Sequence, residues 1–248
     1  MSPLYFELVV KLLHDSNLTY KINMLIMGDH HQNIYDFRGS DRRYLTLANY
    51  LWNDNQNFTS LQLHESYRLT KQIAWFVNNV MLGEERIIAK KDIGENVIYM
   101  KCNEFNIYID LFNFIKKALD SKKYKPEDIF VLVYSFKSKN SETPIKKLEN
   151  KLVNNKIPVY FPNNDEERLD DKTLKNKIVF STFHQTKGRE RKIVIIYGFD
   201  ESYFKFHARD KDPNVCSSDL YVATTRASEI LILLQSDKMK PLPFLKKN

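Results

Sequence analysis

LIMGDHHQNIYDFRGSD, residues 25–41, is the stretch from which the rest of the chain can be placed. A short apolar run, Met24 to Met27, ends at Gly28-Asp29, as a buried parallel strand ends at a tight turn. Residues 21–27 are therefore predicted as a strand. Polar and planar groups follow in close order: Gln32, Tyr35, Phe37 and Arg38. After Gly39-Ser40 the spacing predicts a helix with Tyr44, Ala48 and Leu51 or Trp52 on one face. In open α/β sheets ligands bind beyond the carboxyl ends of strands, so chemistry is expected at this turn. Composition alone favours an ordinary strand–loop–helix connection with its aromatics packed in the core.

Upstream, Ser2-Pro3 reads as an N-cap followed by proline at the first helical position. Leu4, Leu8 and Leu12, with Tyr5, Val9 and Leu13, then give a broad apolar face at helical spacing, ending near His14-Asp15. Downstream, residues 58–63 form a short strand candidate. Thr70 caps a helix that places Ile73, Phe76 or Val77, and Val80 or Met81 on one side. Residues 83–94 read as a connector. Strand 97–102, helix 105–119, strand 128–134, a helix starting at Thr143-Pro144, strand 158–161, strand 177–181, strand 193–197, a helix opening at Ser218 or Asp219 and strand 230–234 follow. The helix 105–119 turns Tyr108 or Ile109, Phe112, Ile115 and Leu119 inward, and the helix after Pro144 carries Ile145, Leu148 and Leu152. Residues 135–142 read as polar and mobile, 163–177 as a charged, exposed excursion and 204–217 as a polar loop, and the tail from Lys238 reads as an exposed end. Strands alternating with helices argue for a parallel sheet covered on both faces.

The chain has 248 residues, 43% of them hydrophobic and 13% aromatic, enough for one large core or two modest ones and too many for disorder. No apolar run approaches a membrane span. Two distant cysteines, Cys102 and Cys216, make neither a disulfide framework nor a zinc site, and no His or Cys falls at metal-ligand spacing. A formal charge of +7 suits a polyanionic partner.

Four strings, in order, carry a family resemblance. GDHHQNIYDFRGS (28–40) resembles motif III of superfamily 1 helicases of the UvrD/Rep/PcrA type, with Ser40 where Ala is usual. LQLHESYRLTKQIAWFVN (61–78) resembles motif IV. STFHQTKGRERKIVII (181–196) resembles motif V, with Arg189 in place of Leu, and LYVATTRASE (220–229) resembles motif VI. The resemblance implies a RecA-like α/β fold and a two-lobed motor that binds ATP with Mg²⁺ between its lobes. It also implies roles. Gln32 senses the terminal phosphate. Tyr67 stacks on the adenine and Arg68 meets the terminal phosphate. Lys187 and Gly188 line the nucleotide cleft, Glu190 takes the ribose hydroxyl, and Arg226 is an arginine finger. Tyr35 and Phe37 stack bases, and Arg38, Thr182 and His184 meet the nucleic-acid backbone. Gln32, Arg68 and Arg226 are expected to share one triphosphate pocket. A core tyrosine beside a solvated arginine, or a structural histidine at 184, is the alternative for single members of the set.

Other parts of such a motor are not found. A phosphate loop, GxxxxGK[ST], needs two glycines five positions apart, and none of the six here, Gly28, Gly39, Gly83, Gly94, Gly188 and Gly198, are so spaced. Asp200-Glu201 follows an apolar run as a Mg²⁺-holding carboxylate would, but it lies downstream of the other motifs and reads as a strand end. MSPLYFELV begins where the acidic motif II of the family would just have finished. The expectation is thus the rear of a first motor domain (1–62), a compact second motor domain (63–237) and a tail (238–248). Such a chain is inactive alone. It is expected to be part of a DNA helicase of 3′–5′ polarity, acting on single-stranded DNA or duplex junctions inside the cell, in solution, and completed by a missing N-terminal half. The alternative is a non-catalytic nucleic-acid-binding subunit.

Overall fold

The computed structural model describes residues 1–15, 24–52, 58–92, 94–136, 143–162 and 170–245, without the side chains of His14, Asp15 and Phe37. Residues 21–23 of the first predicted strand, 137–142 and 163–169 of the two polar stretches, and the ring of Phe37 lie outside that description. The chain divides into Met1–Leu63 and His64–Asn248.

In the first unit α1 (Pro3–Asp15) starts as expected, with Tyr5 N donating to Ser2 Oγ (3.4 Å). Its apolar face, however, stands in the open: Leu4 is 75% exposed, and Tyr5, Leu8 and Leu12 are exposed as well. Met24 to Met27 form no strand, and Leu25 and Met27 are exposed. A strand needs a neighbour to take its N–H and C=O groups, and no strand forms among the described residues of Met1–Leu63. The predicted strand 58–63 fails in the same way, with Leu61 and Leu63 exposed. The helix after Ser40 forms in two pieces, α2 (Arg43–Thr46) and α3 (Ala48–Leu51), separated at Leu47. Its predicted face nevertheless packs. The Phe6 ring stacks on Tyr44 (centroids 4.6 Å) and meets Trp52 edge-on (4.7 Å), and Trp52 Nε1 donates to the Tyr44 carbonyl (2.8 Å).

The second unit is built on sheet. A two-residue parallel pair joins β1 (Glu65–Ser66) to β2 (Ile88–Ala89), the latter inside what reads as a connector. Thr70 caps α4 (Lys71–Trp75), which continues as π-helical turns over Phe76–Leu82. Then come β3 (Ile98–Cys102), α5 (Ile107–Asp120), β4 (Ile129–Val133), α6 (Pro144–Asn154), β5 (Val159–Tyr160), α7 (Asp171–Leu174), β6 (Ile178–Thr182), β7 (Arg191–Tyr197), α8 (Ser218–Thr224) and β8 (Ala227–Ser236). Six strands form one sheet in the order β3-β8-β7-β4-β6-β5, every neighbouring pair parallel. This is the α/β sheet expected of a RecA-like domain.

Strand alternation sorts the core. Phe130, Leu132, Val194, Ile196, Leu231 and Leu233 face one side, with Ile73, Val77, Met81, Leu220 and Tyr221. Ile129, Val131, Phe180, Ile193, Ile195 and Ile232 face the other, where α5 and α6 supply Leu111, Ile115, Leu148 and Leu152. α5 turns the predicted face inward, with Phe112 and Ile115 buried and Tyr108 and Leu119 packed against them, and it also buries Ile107 and Leu111 while Ile109 is exposed. Three further expectations are corrected. Leu174 of α7 is buried in the excursion 163–177, Phe204 is buried in the loop 204–217, and the tail returns to the core through Leu242 and Phe244. Burial of each such side chain is favoured by about 1.5–3 kcal/mol. No described helix is long and apolar enough to cross a membrane.

Candidate functional site

The motif loop of the first unit is closed by its own hydrogen bonds. Asp29 accepts from His31 N (3.0 Å) and from Gln32 Nε2 (2.9 Å), so the carboxylate aims the Gln32 amide. Ile34 is buried beneath the loop. The Tyr35 carbonyl accepts from Arg38 N (2.9 Å) and Ser40 N (3.2 Å), and Gly39 turns the chain at φ 76°. That left-handed conformation suits glycine. Ser40, the departure from the family's Ala, donates its hydroxyl to Asn33 Oδ1 (2.8 Å) and pins the far end. The Arg38 guanidinium carbon lies 5.7 Å from the centre of the Tyr35 ring. Phe37 has its backbone in the turn Asp36–Arg38.

In the second unit the named residues gather at two opposite ends of the parallel strands. At the amino end of β7 and β8, Arg68 Nε lies 3.6 Å from Glu190 Oε2. That nitrogen is buried without a hydrogen-bond partner, a vacancy suited to an anionic oxygen. Next to Glu190, the Arg189 carbonyl accepts from Arg226 Nη1 (3.1 Å). Arg226, only 2% exposed, also donates Nε to the Val222 carbonyl (2.9 Å) and Nη2 to Thr225 Oγ1 (3.2 Å). Its own carbonyl takes Arg191 N, which locks the start of β8 to β7. Arg189, the second departure from the family pattern, pairs with Asp171 of α7. Tyr67 is 76% exposed and donates to Glu65 Oε2 (3.2 Å). Lys187 and Gly188 are exposed, and Gly188 sits at φ 82° with open space where a Cβ would be. Burial pushes the Arg191 guanidinium below its ordinary range.

At the carboxyl end of β6, Thr182 is buried and its hydroxyl donates to Gln185 Oε1 (3.0 Å), which also accepts Thr182 N (2.9 Å) and Ser181 Oγ (3.2 Å). Gln185 therefore fixes the loop, a role with no sequence signal beyond its place in the motif. His184 Nε2 lies 3.3 Å from Asp219 Oδ1 at the start of α8. Asp200, the decoy carboxylate, is buried and accepts from Ser202 N (3.0 Å) and Ser236 N (2.9 Å), a structural use of both oxygens. Among the described residues no group of three or more His, Cys, Asp or Glu could hold a metal ion. The expected phosphate-side arginines thus share one edge with Glu190. Thr182 and His184 stand at the other, and Gln32, Tyr35 and Arg38 belong to the first unit.

No protein-family profile matches the chain. It is 27% identical over 162 residues to a probable DNA helicase II homolog of Mycoplasma capricolum subsp. capricolum, covering 63% of this chain. It is 27% identical over 212 residues to a putative ATP-dependent DNA helicase, R568, of Acanthamoeba polyphaga mimivirus, covering 82% of this chain. The chain spans 20% and 29% of the length of these two relatives. Among solved structures, the C-terminal domain of a possible DNA helicase from Lactobacillus plantarum WCFS1 superposes with a TM-score of 0.47 at 17% identity, over 72% of this chain and 92% of that one. On its ordered motifs and these relatives, the chain resembles a C-terminal portion of a DNA helicase.

Proposed function

We propose that this chain is the C-terminal part of an ATP-dependent DNA helicase, in which hydrolysis between two RecA-like lobes drives stepping along single-stranded DNA and unwinding of duplex. One observation carries the reading. Motif residues far apart in sequence, Arg68, Glu190 and Arg226, meet at one edge of the sheet through the 3.6 Å and 3.1 Å contacts around residues 189 and 190. The names of the two relatives support a helicase-related function in the same terms.

The residues present fit a nucleoside triphosphate in part. The exposed Tyr67 ring offers a base-blind stacking face, Arg68 Nε, ion-paired with Glu190 but not hydrogen-bonded to it, suits a phosphate oxygen, and Glu190 can accept ribose hydroxyls. Arg226 is held rigid by three hydrogen bonds, so its charge is placed before the reaction and needs no reorganisation. Mg²⁺, as the family resemblance implies it, would supply positive charge against the phosphates, but among the described residues no group of three or more His, Cys, Asp or Glu could hold it. Gln32, aimed by Asp29, would sense the terminal phosphate, with Tyr35, Phe37 and Arg38 on the same loop meeting DNA.

It follows that this polypeptide alone does not turn over ATP, because catalysis in this class rests on the phosphate loop and the metal. The test is ATP hydrolysis with single-stranded DNA, measured for this chain alone and with a chain carrying the two Walker motifs. Silence alone and turnover on mixing are expected. Turnover alone would refute the incomplete-motor reading. Silence in both, with DNA binding retained, would favour a non-catalytic nucleic-acid-binding subunit.

A further inference from the structure

Asp219 belongs to none of the roles above, yet it is one of the most enclosed carboxylates in the second unit, 2% exposed at the first turn of α8. Its two oxygens are used unequally. Oδ2 accepts from the Tyr203 hydroxyl (2.7 Å) and from Lys211 Nζ (3.3 Å). The Tyr203 hydroxyl in turn accepts from Ser217 Oγ (3.0 Å). Oδ1 is buried with no hydrogen-bond partner, and an imidazole nitrogen, His184 Nε2, faces it at 3.3 Å. A buried acceptor left without a donor costs about 1–3 kcal/mol. A proton on His184 Nε2 removes that cost with a small rotation of the ring. Beside the pair stand the His207 ring, 6.0 Å from His184 centre to centre, and Lys211, whose Nζ lies 3.3 Å from Asp219 Oδ2.

We propose that Asp219 is a positioning residue that holds His184 with its Nε2 protonated, whether the ring is neutral or charged, and so fixes which nitrogen and which ring edge the motif loop presents to nucleic acid. α8 extends the consequence. Asp219 opens this helix and Arg226 follows its end, with Arg226 Nε bonded to the carbonyl of Val222 inside it. One short rigid rod thus joins the histidine at the carboxyl edge of the sheet to the arginine at the amino edge. The part concerning DNA rests on the proposed helicase reading, and the part concerning the tautomer does not.

The test uses the full chain with ¹⁵N-labelled histidine, His184 being assigned by its loss in His184→Gln. Long-range nitrogen–proton spectra report which ring nitrogen carries the proton. Protonated Nε2 is expected in the unaltered chain, and a bare Nε2 there would overturn the proposal without any variant. In Asp219→Asn the one remaining carbonyl oxygen is claimed by Tyr203 and Lys211. The amide NH₂ then faces the ring, and the proton is expected to move to Nδ1. Lys211→Met, which leaves the carboxylate in place, is expected to leave the tautomer as it was. Binding of a fluorescent oligothymidine is then measured by anisotropy. Asp219→Asn and His184→Ala are each expected to weaken it roughly tenfold, and the double variant no further. Additive losses would overturn the coupling of the two residues. If His184→Ala binds normally while the tautomer responds as expected, the positioning stands and the assignment of this loop to DNA falls.

Discussion

The first 63 residues and the remainder use the same amino-acid vocabulary and reach opposite degrees of closure. In His64–Asn248 the apolar runs DIFVLVY, KIVFST and RKIVIIY become neighbouring strands of one sheet, buried on both faces by helices of the same unit. In Met1–Leu63 the run Met24 to Met27 is also apolar but has no strand to pair with among the described residues, and Leu4, Leu8 and Leu12 of α1 face outward. What differs is the supply of partners. A continuous apolar run becomes a strand only where parallel neighbours take its backbone groups. An amphipathic helix face is only half of an interface. The loop 29–40 escapes this limit because its bonds are local. Asp29 to Gln32, Ser40 to Asn33 and the Tyr35 carbonyl close it without a sheet.

The sharpest way to break the comparison is through the two arginines that the motifs single out. Arg226 is buried and tied to three oxygens, whereas Arg38 is exposed beside Tyr35. In a motor completed by a Walker-bearing chain, Arg226→Lys is expected to lower ATP turnover by roughly 10³–10⁵. A lysine keeps the charge but loses the fork that bonds Val222, Thr225 and Arg189 together. Arg38→Ala is expected only to weaken single-stranded DNA binding and to reduce its salt slope by about one. Steady-state ATPase and salt-titrated anisotropy check both. Turnover within tenfold of normal for Arg226→Lys would exclude a finger role.

Next in size is the core itself. Phe180 of β6 is fully buried between Phe161 and the α5–α6 layer. Phe180→Ala should cost about 3–5 kcal/mol, the transfer loss plus the cavity, read as a lower urea midpoint in the transition of the second unit. A cost under about 1 kcal/mol would mean that the sheet is less tightly packed than the burial implies.

These contrasts show how far the sequence could be read. The strands β4, β6 and β7 were legible because a run of apolar residues bounded by turns has few other folds open to it. Thr70, Thr143 and the Ile145/Leu148/Leu152 face were legible because caps and periods are local. The burial of Leu174, Phe204, Leu242 and Phe244 was not, since short apolar stretches with no helix or strand period look the same whether buried or exposed. The strings around Gln32, Arg68, Glu190 and Arg226 identified a chemistry through resemblance. Asp219 stayed hidden because its partners Tyr203 and His184 are brought to it by tertiary contact, and Gln185 because its bonds three and four residues back onto Thr182 and Ser181 leave no distinctive pattern.

A smaller effect concerns alkaline pH. Burial, with help from the charges of Asp200 and Asp237, pushes the Cys102 thiol up to about 11 from 9.0. The folded chain therefore keeps a proton that the unfolded chain releases. The associated stability is complete below pH 9 and is lost as pH rises from 9 towards 11. Two units correspond to a loss of order 2 kcal/mol. Burial of Tyr197 and Tyr203 acts in the same direction at still higher pH. Urea midpoints of the second unit should be flat up to pH 9 and fall beyond it, and Cys102→Ala should flatten the part of the fall assigned to the thiol. An unchanged slope in that variant would place the titrating group elsewhere.

The smallest expected change lies in the first unit. Leu8 of α1 is 51% exposed, so Leu8→Ser should alter stability by no more than about 0.5 kcal/mol, as surface substitutions do. Burying a leucine is worth about 1.5–3 kcal/mol, so the two cases are well separated. If the serine variant loses more than about 1.5 kcal/mol by thermal or urea unfolding, the leucine face of α1 is covered in solution, and the difference between the two regions lies in what each is bound to, not in how each is built.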